Sequence, residues 1–493
     1  MAIMTTKALS ATAPVNRNRL YWTCLALLIA VMTIPRLLIN YGMDGDAIRG
    51  MIAAQRLVET GTYIPSRLPG NPLFEYLLAV LSLLDGHILT NAVILAFYLA
   101  AIAGFRTLAR DREHGLLLVG LFSLTPILVM NSVVTKDYIP SLATILWSYA
   151  AAQRKRNLAA YLLLSVAVGL RLPNFLFAIP LGLFLWLGGE RSLKIGALTL
   201  LTVLVGAMWY VPVFSRSGWQ MLAFPASTYH GLGYLLYMGY RIIMVFGPVA
   251  TVGIVFMIAL NTRNIISLTA GQFRSADPSY IFESTAVILS LALFVKHAHQ
   301  SEYLIPAIPF FYLLLARWLS HRQLQVAAAL ILSFAVVSVE LKGGESGRRA
   351  MTLRPQWGII VKDYLDRKEL EALRYGVTGF GVSGRAVIVH GYGPMLGFEN
   401  PGLESIGYRE LSPRLNGNAI ADPDSVHRIR SGNVYLVSGL SRENVLELQH
   451  DGYRLFCFTE SAPSLALHSY GYDPFQLGME RLETTGPNAF FRK

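Results

Sequence analysis

The feature that most constrains this chain is an alternation. From residue 1 to 340, long apolar stretches recur, each bounded by short clusters of arginine and lysine; from 341 to 493 the pattern stops. A helix needs roughly 20 mainly apolar residues to cross the hydrocarbon core of a bilayer, and many windows here qualify. Hydrophobic residues make up 54% of the 493, charged residues only 15%, and mean hydropathy is +0.46, too apolar for an ordinary soluble protein. The net charge of +12 would suit nucleic acid, but no long basic run or basic-aromatic surface occurs. Basic residues placed between apolar stretches fix orientation in a membrane instead. The fold class expected is an α-helical polytopic membrane protein with a small C-terminal α/β domain.

The basic clusters set the expected topology. Arg17 and Arg19 precede the first stretch and hold the N-terminus in the cytoplasm. The segment 41–70 then emerges outside. Residues 71–85 are apolar but short and carry Glu75, which suits an interfacial or re-entrant helix better than a crossing. Counting them as a crossing would put Arg106, Arg110 and Arg112 outside, against the charge rule. Later stretches alternate so that Arg154-Lys155-Arg156, Arg191, Lys194, Arg263, Arg274, Arg317 and Arg322 fall inside. The expected count is about eleven spans. The last, 324–340, exits and leaves the C-terminal domain outside the cytoplasm. Residues 1–340 are thus a membrane domain whose outer loop, 41–87, is the candidate catalytic segment, and 341–493 are an extracytoplasmic domain.

In that domain, strand-like runs at 386–389 and 434–437 alternate with helical stretches at 361–375 and 441–449. Cys24 and Cys457 lie far apart and suggest neither a disulfide nor a zinc site. No internal repeat is evident.

The candidate chemistry lies outside. Asp44 and Asp46 end the first stretch, and an ordinary aspartate pKa near 4 leaves both ionised at neutral pH. Either can accept a proton from an attacking hydroxyl or amine, or give oxygen ligands to a divalent cation; the plainer alternative is that they cap a turn. Arg171 interrupts about thirty apolar residues, where an unpaired charge costs several kcal/mol. It either contacts a phosphate or snorkels to the interface. His297 and His299 stand two apart, but no third ligand completes a metal site. Tyr63, Glu75, His299, Glu302 and Tyr303 are outer-side candidates for substrate contact.

The outer segments carry a resemblance. Asp46 is followed by Gly61-Thr62-Tyr63 and then by Pro72-Leu73-Phe74-Glu75-Tyr76. Pro126 and Asp137 come next, then Gly169-Leu170-Arg171, then Tyr303-Leu304-Ile305-Pro306 through Pro309-Phe310. In order and topology this resembles the C-type glycosyltransferase superfamily over roughly residues 20–320, most of all the protein O-mannosyltransferases and lipid A aminoarabinose transferases. The resemblance implies an acceptor (lipid, glycan or protein) attacking the anomeric carbon of a sugar carried on a polyprenyl phosphate. It implies Asp46 as general base, Asp44 as a second acid or metal ligand, and Asp137 as an orienting residue.

Two positions depart from the pattern. Gly70 and Asn71 stand where aminoarabinose-type relatives have lysine, and Glu302 where many relatives have arginine. The phosphate leaving group still needs a cation, and Arg67, Arg171 and Lys296 are the candidates. Two other classes compete with an enzyme: a transporter or flippase of lipid-linked saccharides, and a non-catalytic membrane scaffold. The acids gather on one side at loop ends and not at mid-membrane, which favours the enzyme.

Overall fold

A computed structural model describes residues 13–84, 86–222, 231–297, 300–342, 352–379, 381–382, 384–390, 393–415, 426–430, 432–438, 440–458 and 473–482. It is a mainly helical membrane domain carrying a smaller α/β module. Among the described residues, four helices are individually long and apolar enough to cross a bilayer: Asn18–Leu37, His87–Ala109, Ser192–Leu222 and Pro278–Lys296. Tyr234–Phe246 and Pro248–Leu260 qualify only as a pair, bent by 96°.

Other expected crossings are shorter or broken. The stretch 115–131 is two helices, Gly115–Ser123 and Pro126–Asn131, and the stretch 303–319 begins with a 3-10 turn at Ser301–Ala307. Proline explains the breaks, since its ring excludes the preceding turn and it lacks an N–H. Pro126, Pro173 and Pro306 each stand at such a junction. The 96° bend falls at Gly247-Pro248, where Gly247 adopts φ +93, a conformation that favours glycine. About eleven expected crossings therefore resolve into fewer full-length helices and several short ones.

The segment 41–70, expected as an outer loop, contains a 16-residue helix, Gly45–Thr60. Asp44 caps its start, accepting from the Asp46 backbone N–H at 2.8 Å. Gly61 ends it at φ +65, donating to the Leu57 carbonyl. Its buried face is small, with Ala47, Gly50, Ala53 and Ala54 beside Ile48 and Met51, which lets it lie close to the next helix. A Cβ on Gly50 would stand 3.2 Å from Leu78 of that helix, Pro72–Ser82. Eleven residues long and opened by Pro72, Pro72–Ser82 is apolar and too short to cross a bilayer, as the sequence led us to expect.

In the C-terminal module, a six-stranded sheet is parallel at its centre. Ala386–His390 pairs with Val434–Ser438 on one side and Arg454–Phe458 on the other. Leu403–Ser405 and Val426–Ile429 add an antiparallel edge. The expected runs at 386–389 and 434–437 are therefore neighbouring strands, and Ile359–Gly376 and Arg442–His450 are the expected helices. An antiparallel ribbon, Val337–Lys342 with Thr352–Trp357, joins the module to the last membrane helix. Cys24 is exposed, Cys457 is buried, and they are not bonded to each other.

Candidate active site

Five separate segments bring their polar residues together: the start of helix Gly45–Thr60, the segment 61–71 with Arg67, residues 132–138, the helix break at Arg171, and the region around Gln300–Tyr303. Asp44 uses one carboxylate oxygen to cap its helix and pairs through the other with Lys136. Lys136 Nζ is also 3.5 Å from Glu302 Oε1. Asp46 pairs with Arg67, lies 3.4 Å from Arg49, and accepts from Gln300 Nε2 at 3.3 Å. Asp137 accepts from Arg171 Nη1 at 3.0 Å and stands 3.9 Å from Arg67 Nη2. The Arg171 guanidinium lies 3.8 Å from the ring centre of Tyr138 and 4.6 Å from that of Tyr303. Tyr138 donates to Gln300 Oε1 at 2.7 Å. The contacts close into a ring running Asp46, Gln300, Tyr138, Arg171, Asp137, Arg67 and back to Asp46.

Arg171 reaches this ring because its helix, Asn157–Leu170, stops there. The backbone of Arg171 is extended at φ −160, and Pro173 starts a new 3-10 turn. Asn174 fixes that turn by donating to Ser141 Oγ at 2.5 Å and to the Ala167 carbonyl at 2.7 Å. Arg171 is only 5% exposed, so it meets its charge partner inside the protein and does not snorkel to the surface.

Glu75 belongs to the same cleft. It accepts from Tyr63 Oη at 2.5 Å, Ser66 Oγ at 2.5 Å and the Ser66 N–H at 3.3 Å. These bonds fold the segment 61–71 over the short helix and carry Arg67 to Asp46. Tyr63 is itself buried and stacked on Tyr76, which makes it a support for Glu75. Asp46, Ser66, Arg67, Glu75, Lys136 and Asp137 line one small, partly open cleft.

The electrostatics favour an ionised Asp46 beside a partly exposed Arg67. Burial pushes the Asp46 carboxyl up, but Arg67, Lys136, Gln300 and Arg49 together outweigh it and hold it below its ordinary range. Lys136 is desolvated too, yet Asp44 and Glu302 keep it firmly protonated. The Lys136 and Arg171 side chains are 3% and 7% exposed, whereas Arg67 is 32% exposed. Arg49, 3.4 Å from Asp46, is 36% exposed but does not line the cleft, so of the cleft-lining cations Arg67 is the one a phosphate from solvent can reach.

The structure unites most of the residues singled out from the sequence: Asp44, Asp46, Asp137, Arg67, Arg171, Tyr63, Glu75, Glu302 and Tyr303. Lys296 stands exposed at the end of Pro278–Lys296 and does not line the cleft. His299 lies outside the described residues. Among the described residues, no group of three or more His, Cys, Asp or Glu side chains converges to hold a metal ion. Asp44 and Asp46 each face a basic side chain. Sequence reasoning missed Lys136, Tyr138, Gln300 and Ser66 as members of the site. Lys136 carried a usable signal, because a lysine beside an aspartate within apolar sequence must find partners; Gln300 carried none.

No family model matches the chain, and no curated protein matches it. Among solved structures it is similar to ArnT from Cupriavidus metallidurans bound to undecaprenyl phosphate, and to the same protein in the apo state. In each case identity is 16%, the TM-score is 0.45, and the alignment covers 64% of this chain and 62% of that one. The chain thus matches less than two thirds of ArnT's length.

Proposed function

We propose that this chain is a membrane glycosyltransferase that moves a sugar from a polyprenyl-phosphate-linked donor to an acceptor on the extracytoplasmic side. The observation that carries the reading is the closed ring of contacts around Asp46, in which Arg67 is the partly exposed cation that lines the cleft. An acceptor hydroxyl or amine attacks the anomeric carbon and the bond from that carbon to the phosphate oxygen breaks. The acceptor proton passes to Asp46, and the departing phosphate takes up the negative charge. Arg67 meets that charge, and Lys136 lies behind it. When Arg67 turns from Asp46 to the phosphate, the carboxylate loses a counter-charge and becomes a stronger base. Asp137, held by Arg171, keeps Arg67 in reach of both. Asp44 and Asp46 are also the carboxylates that would take a divalent cation in place of their basic partners, and transfer measured with and without chelator tests that role.

The orientation belongs to the same reading: an integral membrane protein with the N-terminus cytoplasmic and the cleft and C-terminal module outside. Membrane-impermeant labelling of single cysteines in 41–70, but not in 153–157, tests it. For the function, purified chain is supplied with polyprenyl-phosphate-linked sugars, and lipids and glycans of a deletion strain are compared by mass with those of its parent. A sugar missing from one acceptor class identifies donor and acceptor. Movement of intact donor across vesicles without transfer would instead support a transporter.

A further inference from the structure

The C-terminal module reaches the candidate active site through a buried charge cluster. Asp363, on Ile359–Gly376, accepts from Arg36 Nε at 2.7 Å and from Arg367 Nε at 3.0 Å. Arg36 and Arg367 are 1% and 0% exposed. Both guanidiniums also donate to backbone carbonyls, Arg36 through Nη1 and Nη2 and Arg367 through Nη1. Arg36 Nη2 donates to Val129 at 3.1 Å and Met130 at 2.7 Å. Arg367 Nη1 donates to Val133 at 3.1 Å and Arg36 at 3.1 Å. At the edge of the same junction, Glu399 accepts from Tyr41 Oη at 3.3 Å and from Gln55 Nε2 at 3.2 Å.

The carbonyls so held belong to two strands of backbone. One, 36–41, runs directly into Asp44 and Asp46. The other, 129–133, runs directly into Lys136 and Asp137. The two are stitched to each other only a residue away from the site, where Thr135 N–H donates to the Tyr41 carbonyl at 3.0 Å. A carbonyl buried here needs a donor, and a bidentate arginine fixes direction as well as distance.

We propose that Asp363 and Arg367 are positioning residues for the active site: the C-terminal module sets the spacing of the Asp44/Asp46 and Lys136/Asp137 segments. The proposal rests on the transferase reading for its kinetic consequence, and on the geometry alone for its structural one. A displacement near 1 Å far from the chemistry can cost about a hundredfold in rate.

The test uses full-length Asp363→Asn, Arg367→Lys and Glu399→Gln, with transfer expressed per folded, membrane-inserted molecule. Arg367→Lys keeps the charge but cannot serve Asp363 and the carbonyls together; Glu399→Gln, at the half-open edge, keeps the fold. The expected result is a fall in kcat of roughly ten- to a hundredfold for the two cluster variants, with KM for the donor little changed, and a smaller fall for Glu399→Gln. Amide hydrogen exchange over 129–137 is read in parallel, and faster exchange is expected in Arg367→Lys. Wild-type kcat per folded molecule in all three variants would overturn the kinetic claim. If the wild-type chain itself transfers no sugar, the functional reading fails separately, and unchanged exchange over 129–137 would then overturn the positioning claim.

Discussion

The guanidinium of Arg67 reaches the carboxylate of Asp46, 21 residues earlier in the chain, across the cleft that both line. The pair ties the protonation of the candidate base to the position of the cation that would meet the donor. Asp46 is pushed up by burial and pulled down further by Arg67, Lys136, Gln300 and Arg49. In the unliganded chain the carboxylate is therefore the dominant form above the ordinary aspartate range near 4. Activity that needs the ionised base is lost only as pH falls below that range. Replacing Arg67 by Gln removes the strongest opposing charge and leaves the burial. The acid limb of kcat/KM against pH should then move to higher pH; an unmoved limb would show that Arg67 does not set the state of Asp46.

The exposures of the three candidate cations differ, and so should their variants. Arg67→Gln removes a charge-assisted bond to phosphate and is expected to weaken donor binding by roughly tenfold or more. Lys296→Gln, outside the cleft, should bind donor as wild type does. Arg171→Leu strands the buried Asp137 carboxylate, and breaking one side of a buried pair costs about 3–5 kcal/mol. That variant should show a lowered Tm before any change in binding is read. Titration of each folded variant with polyprenyl phosphate checks the order; equal loss in Arg67→Gln and Lys296→Gln would contradict it.

Away from the membrane, His390 ends the central strand of the C-terminal sheet and is fully buried. Burial, with His427 beside it, lowers its pKa from 6.5 to about 3. The unfolded chain, with a histidine near 6.5, binds more protons between those two values, so stability must fall as pH falls through that window. The slope is about 1.4 kcal/mol per pH unit for one such group. The module should become protease-sensitive on acidification from pH 7 toward 4, and His390→Gln should flatten that dependence. Equal acid sensitivity in the variant would assign it to other groups.

Much of the architecture was legible because a bilayer leaves few choices. Apolar length and arginine placement located His87–Ala109 and Pro278–Lys296 within a few residues, and the brevity of 71–85 marked Pro72–Ser82 as too short to cross. Helix Gly45–Thr60 was not foreseen: it is amphipathic, with Ile48 and Met51 among the alanines of its buried face, but its low mean hydropathy hides it beside the apolar membrane stretches. The individual candidates Asp46, Asp137, Arg171 and Glu75 could be read as charges in unusual places. Their mutual pairing could not, since it depends on where Pro126, Pro173 and Pro306 break helices and on which carbonyls Arg36 and Arg367 capture. Gln300 and Tyr138, which close the ring, are ordinary residues by type and become informative only in contact.

The central claim is that Asp46 accepts the proton in sugar transfer, and Asp46→Asn tests it most directly. The amide keeps the shape of the side chain and its bond with Gln300, but it cannot take a proton. The assay is transfer from a purified polyprenyl-phosphate-linked donor, with donor binding measured on the same preparation. A well-placed general base contributes about 10²–10⁴-fold. The account predicts a folded, donor-binding variant whose kcat falls by roughly that factor. A folded Asp46→Asn chain that binds donor and turns over at the wild-type rate would contradict it.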